Sequence, residues 1–210
     1  MHEVLPGVFH WTAVHPKINL EVSSYWLDDG NVLIDPLLPP DEGIGWFDSH
    51  GVRPEAIVLT NRHHYRDCDK LVAEYGLPVL VPRSGLHEFT HDEPVTGYDP
   101  GNTLPGALVV HEIGGLCPDE MALHQAADRM LAIADGVVRI GPGAPLGFVP
   151  DVLMDDPPET KRALLAAYGR LLDELEFDHL LLAHGGPVIG DGRAQLEDFV
   201  ASGGRTAFQM

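Results

Sequence analysis

The run Ala56-Ile57-Val58-Leu59-Thr60 is apolar up to its last residue and ends against Asn61-Arg62-His63-His64-Tyr65-Arg66-Asp67, a dense polar stretch. An apolar run this short, bounded by polar residues, reads as a buried strand rather than a helix. Asp67 to Tyr75 then reads as a helix stopped by Gly76, and Val79-Leu80-Val81 as the next strand, entered through Pro78 and left through Pro82. A strand, a charged loop, a helix and a second strand in that order point to an α/β protein. They also place two histidines, two arginines and a tyrosine on a single loop.

The flanking sequence extends the pattern. Val8 to Trp11 and Val22 to Leu27 have the aromatic and β-branched content of strands, and Asp28-Asp29-Gly30-Asn31 reads as a hairpin turn into Val32-Leu33-Ile34-Asp35. Pro39 to about His50 reads as a short helix ended by Gly51. Strands follow at Ala107 to Ile113, Met121 to His124 and Arg129 to Ala134. A helix over Pro158 to Leu175 repeats its apolar residues Leu164, Tyr168, Leu171 and Leu175 at three- and four-residue steps. A strand at His179 to Ala183 and a closing helix over Gly192 to Val200 complete the chain. No repeat or linker divides it, so residues 1–210 read as one layered domain with mixed sheets and outer helices.

Charge narrows the partners. The formal net charge is −19, from 13 Lys plus Arg against 32 Asp plus Glu. Such a balance repels phosphate backbones and anionic lipid, which argues against nucleic acid and membrane surfaces and leaves a small-molecule ligand or substrate. No apolar stretch approaches the roughly 18–20 residues of a membrane helix, and the first residues lack the basic and apolar segments of an export signal. The expectation is an acidic, cytoplasmic protein for which a homodimer is permitted but not required. Cys68 and Cys117 read as unpaired thiols, with Cys68 buried and inert.

Four landmarks occur in a fixed order: Val32-Leu33-Ile34-Asp35-Pro36, the loop from Thr60 to Arg66, Met130 to Asp135, and Leu181-Leu182-Ala183-His184-Gly185-Gly186-Pro187. Together they resemble the metallo-β-lactamase superfamily, in which a strand ending in Thr is followed by His-x-His-x-Asp-His. The resemblance implies an α/β (α+β) fold, a four-layered αββα sandwich of two mixed sheets with the active site on loops along one edge. It also implies an ancestral metal-dependent hydrolysis of an ester, thioester or amide.

Laid on that pattern, Asn61 takes the first His, His63 the second, Tyr65 the Asp and Arg66 the last His. Gly115 stands where a further ligand His belongs. The family's first metal site keeps only His63, and its second keeps Asp135 and His184. A catalytic zinc retains three protein ligands, so the resemblance implies no complete dinuclear centre, and Arg66 brings a fixed cation into its place. The pocket candidates are therefore His63, Tyr65, Arg66, Asp135 and His184.

Three readings follow. In the first, the pocket binds a ligand without metal, no cofactor is expected, and Arg66 neutralises Asp135 through a planar fork. In the second, one zinc or iron ion is held by His63, Asp135 and His184. In the third, His63 or His184 acts as a general base beside Tyr65, without metal. The first is preferred. If the loop is extended, His64 points away from the pocket. Tyr65 is either a hydrogen-bonding substitute for the lost Asp or a packed aromatic. Ile140 to Phe148 reads as an ordered irregular connection, and Trp11, Trp26 and Trp46 as core or rim aromatics.

Overall fold

In the computed structural model, which describes residues 1–141 and 143–205, alternation along the central strands separates three apolar layers. The first half of the chain gives β1 (His2–Leu5), β2 (Val8–His15), β3 (Leu20–Leu27), β4 (Val32–Ile34), α1 (Gly45–Ser49), β5 (Ala56–Val58), α2 (Cys68–Tyr75), β6 (Val79–Pro82) and β7 (Val95–Tyr98). These seven strands form one sheet in chain order. Pairs from β1 to β4 are antiparallel and those from β4 to β7 parallel. The second half gives β8 (Thr103–Leu104), β9 (Leu108–Glu112), β10 (Met121–Gln125), β11 (Met130–Ile133), α3 (Pro157–Glu174), β12 (His179–Leu182) and α4 (Gly192–Ala201). Its sheet runs β12-β11-β10-β9-β8, with only β11 and β12 parallel.

Successive side chains on a strand face opposite ways, and here the two faces have different partners. Val32, Ile34 and Val58 join Met130, Ala132 and Leu181 in an apolar cluster between the sheets. Leu33 and Ile57 face outward onto Trp26, Phe47 and Leu71, under α1 and α2. Leu131, Ile133, Leu180 and Leu182 face the other way, onto Leu164, Tyr168, Leu171 and Phe199 of α3 and α4. This is the four-layer αββα arrangement that the resemblance implied. Trp11, Trp26 and Trp46 are all core residues. No described helix is long and apolar enough to cross a membrane.

Two local expectations need correction. The helix expected from Pro39 to His50 is confined to Gly45–Ser49. The Pro39-Pro40 pair removes helical donors, and Gly43 adopts φ 54°, so turns replace the first half. The short strands β1, β7 and β8 were not anticipated; each is at most four residues long and carries little alternation to betray it.

The sheets are tied together at the edge where the chemistry-bearing loops emerge. Ser23 N donates to Ala183 O at 2.8 Å, Met121 N donates to Thr60 O at 3.0 Å, and the Tyr25 hydroxyl donates to Leu182 O at 2.8 Å. Asp35, Thr60, Asp135 and His184 all lie one or two residues past the ends of β4, β5, β11 and β12. In α/β sheets, crevices for ligands form at the carboxyl ends of parallel strands. Both parallel seams of this molecule therefore open onto one place.

Candidate functional site

Asp35 anchors the site. It follows β4 at φ 49° and is buried. It accepts from Thr60 N at 2.8 Å through Oδ1 and from the Thr60 hydroxyl at 2.6 Å through Oδ2. His64 Nδ1 lies 2.9 Å from the same Oδ2 and 3.0 Å from Thr60 Oγ1. The opposite ring nitrogen, Nε2, lies 3.1 Å from Asp135 Oδ1 and 3.2 Å from Oδ2. Asp135 is further approached by Asn61 Nδ2, which donates to Oδ2 at 3.1 Å, and by His184 Nε2 at 3.3 Å from Oδ1. One continuous chain of polar groups therefore runs Thr60–Asp35–His64–Asp135–His184.

The inward turn of His64 corrects the expectation that it would point away. That expectation assumed an extended loop, whereas residues Arg62–Tyr65 form a 3₁₀ turn capped by Asn61, whose side chain accepts from His63 N at 2.9 Å. Three residues per turn replace the two-residue alternation. Arg62 is held to the other side, with its N–H donating to Asp119 at 2.7 Å and its guanidinium paired with Asp119 and Glu88. His64 is left buried between the carboxylates, and His63 lies exposed at the rim of the pocket. A sequence signal for this was present: Asn is a favoured N-cap, and a cap at Asn61 implies a helical turn after it.

Arg66 also departs from expectation. It makes no ion pair with Asp135 among the described residues. Its Nη1 instead donates to two backbone carbonyls, Ser23 O at 2.8 Å and Asp35 O at 2.5 Å. The backbone at Arg66 has φ 42° and ψ −112°, a sparsely populated conformation that persists only where the surroundings enforce it. That twist aims the guanidinium under the strand ends, where carbonyls rather than carboxylate oxygens are within reach. Tyr65 turns outward: its hydroxyl donates to Asp69 at 2.7 Å and its ring packs on Phe89. The packed-aromatic alternative holds for Tyr65, and the general-base reading beside it loses its geometry.

Electrostatics follow from this layout. Burial opposes the charged form of His64, but Asp35 and Asp135 outweigh it and raise its pKa from 6.5 to about 9. Burial likewise opposes ionisation of Asp135. The charge of His64, with hydrogen bonds from His184 and His64, prevails and holds Asp135 well below the ordinary carboxylate range. Asp35 is lowered as well, against its burial, by His64, Arg66 and Thr60. At neutral pH the formal charges cancel, with Asp35 and Asp135 against His64 and Arg66.

The remaining family positions can be tested for fit to two metals. At Gly115 an added Cβ would meet Leu164 Cδ2 at 2.9 Å and Cγ at 3.0 Å, so α3 already fills the space a ligand side chain would use. Asn61 is committed to Asp135, Tyr65 faces Asp69, and Arg66 is a buried cation. The donor set does not fit a dinuclear centre. One metal is a different matter. Ligand atoms of His64, Asp135 and His184 lie within 4.8 Å of one another, the only such group of three among the described residues. His63, expected in that group, lines the same pocket as Asp135 and His184 but is not a member of the cluster. The turn that brings His64 inward is what separates His63 from it.

Above the polar chain is a cavity of about 480 Å³, with His63, Asp135 and His184 among its lining and apolar side chains making up most of the rest. Its wall at His184 depends on Gly185, where φ is 88° and a Cβ would fall 2.0 Å from Arg139 O. Arg139 Nη2 donates to Gly186 O and Pro187 O, fixing this turn from outside. The connection after β11 contributes Val138, Ile140 and Val149 to the cavity wall, so the irregular segment expected there also covers the site. Cys68 is buried, as expected, and burial raises its thiol pKa; Cys117 is half-buried on the cavity wall.

Comparison with known proteins agrees with this architecture. The family model for the metallo-β-lactamase superfamily matches residues 2–203. No curated protein matches the chain. Among solved structures, TTHA1623, determined in a di-iron-bound form, has 25% identity and a TM-score of 0.69, with 89% of this chain and 96% of that one covered. A metallo-β-lactamase from Pontibacter korlensis has 14% identity and a TM-score of 0.70, covering 95% and 97%. The rubredoxin oxygen:oxidoreductase of Desulfovibrio gigas has 14% identity and a TM-score of 0.68; the match covers 96% of this chain but only 61% of that protein. With a family model spanning nearly its whole length, and with both sheets and all four layers in place, the chain belongs to the metallo-β-lactamase superfamily.

Proposed function

We propose that this chain is a metal-poor binding derivative of its superfamily, in which side-chain cations do the work of the metals. The observation that carries the reading is the position of His64, with one ring nitrogen against Asp35 and the other against Asp135. Acceptors on both sides favour an imidazolium, whose two N–H groups satisfy both carboxylates. Arg66 adds the second positive charge from beneath. The pocket is then neutral and hydrogen-bonded before anything enters it. Its chemistry is that of a preformed, largely apolar small-molecule site with a few convergent polar groups.

A ligand that binds only the folded state raises its melting temperature. Chelator treatment, or zinc or ferrous iron at about 100 µM, is therefore expected to leave the melting temperature unchanged. A rise of several degrees with either metal, lost in His184→Ala, would overturn the reading.

A second reading rests on the convergence of His64, Asp135 and His184. The far nitrogen of each imidazole already has an acceptor: Asp35 for His64, and Glu21 O at 3.3 Å for His184. Metal-binding histidines are usually oriented in this way. One zinc or iron ion held there would supply Lewis acidity for hydrolysis of an ester, thioester or amide. It ranks second because entry of the ion must displace the proton shared by His64 and Asp135, and would add positive charge to a site already balanced.

A further inference from the structure

We infer that the pocket takes an uncharged amphiphile: an apolar body ending in a single neutral oxygen-bearing head, such as a carbonyl. The inference rests on the metal-free reading of the same site and adds the class of ligand. Its first support is the cavity wall. Ile18 comes from the β2–β3 connection and Leu20 from the start of β3, Val138, Ile140 and Val149 from the segment after β11, and Leu153 from the turn before α3. Ile18 is 51% exposed, Leu20 44%, Ile140 42% and Leu153 61%. They are four of the seven exposed large hydrophobic residues among those described, and all four line this one cavity. On a chain with a net charge of −19, such a concentration marks a place where apolar surface is meant to be covered by a ligand.

The head is assigned by the polar groups left free. Asp135 already has Asn61, His64 and His184 around its two oxygens, so it offers no vacant acceptor to a cationic head. A carboxylate head would find no Lys or Arg among the described residues of the cavity wall to receive it, on a chain with a net charge of −19. The His63 ring lines the cavity and makes no side-chain hydrogen bond among the described residues. An imidazole ring can donate a hydrogen bond to a carbonyl or hydroxyl oxygen. The volume, about 480 Å³, lies within the range of small-molecule sites, roughly 300–1,000 Å³.

The test is calorimetric titration of the intact protein with straight-chain methyl ketones of increasing length, alongside alkylammonium and alkanoate ions of matched length. Each buried methylene contributes about 0.8 kcal/mol, so Kd for the ketones should fall about fourfold per added carbon until the cavity is full. Leu20→Asp and Ile140→Asp, both at exposed positions, should each weaken binding tenfold or more, with melting temperatures showing that the variants are folded. His63→Ala should weaken every ketone by a similar factor while leaving the gain per carbon intact. Affinity that ignores chain length, or is unchanged in the two Asp variants, overturns the apolar assignment. Tighter binding of either ion overturns the neutral head. Metal content measured on the same samples separates the two ideas, because a length-dependent series on metal-loaded protein would overturn the metal-free reading and leave the ligand class standing.

Discussion

His64→Ala is expected to destabilise the protein by about 3–5 kcal/mol, the usual cost of removing one partner from a buried charge pair. Asp35 and Asp135 lose the cation that both contact, and Asp35 cannot reach water. At roughly 2–4 °C per kcal/mol for a chain of this size, the melting temperature should fall by about 10 °C. The pH profile carries the diagnostic part. The pKa of His64 rises from 6.5 unfolded to about 9 folded. A raised pKa contributes stability that is complete below the unfolded value and lost as pH climbs through the folded one. The native protein should therefore lose stability between about pH 6.5 and 9, and His64→Ala should show no such decline. Urea unfolding across that range checks it. A variant that melts with the native protein, or declines over the same window, would contradict the role given to His64.

Arg66→Ala should be nearly as damaging, by about 2–4 kcal/mol, for a reason the sequence did not reveal. The guanidinium donates to Ser23 O and Asp35 O; Asp35 O keeps the Ser24 hydroxyl as a donor, so the loss is two charge-assisted hydrogen bonds, each worth roughly 1.5–3 kcal/mol when fully buried and less at this part-buried site. Arg66→Lys should recover only part of the loss, since a shorter, flexible stem does not hold its ammonium where Nη1 donates to both carbonyls. Thermal or urea melts of both variants decide the matter. Full stability in Arg66→Lys would show that charge alone, rather than the bridge to backbone, is what the site requires.

The fold was legible because its signals are local and repeated. Leu33 against Val32 and Ile34, or Leu131 against Met130 and Ala132, alternate between layers in runs whose length and flanking turns mark them as strands. The spacing of Leu164, Tyr168, Leu171 and Leu175 marks α3 in the same way. The departure from the family's ligand pattern needs only residue identity: Asn61, Arg66 and Gly115 cannot replace imidazole. Side-chain direction was not legible. Whether His63 or His64 joins Asp135 and His184 depends on a single 3₁₀ turn, and a strand-like loop reverses the answer. The fork expected between Arg66 and Asp135 failed for a similar reason. A backbone twisted to φ 42° sends the side chain to carbonyls that no sequence pattern announces. The walls of the cavity were also hidden, because Ile18 and Leu20, around the start of β3, and Leu153, before α3, lie far apart in the chain.

Metal content of protein purified without chelator and without added metal, measured by elemental mass spectrometry, bears most directly on whether His64 and Arg66 have replaced the superfamily's ions. Apparent affinities of built metal sites are strong enough to survive purification. With the site already neutral and its donors committed, less than about a tenth of an equivalent of zinc and iron together is predicted. Close to one equivalent per chain, lost in both His64→Ala and His184→Ala, would contradict it.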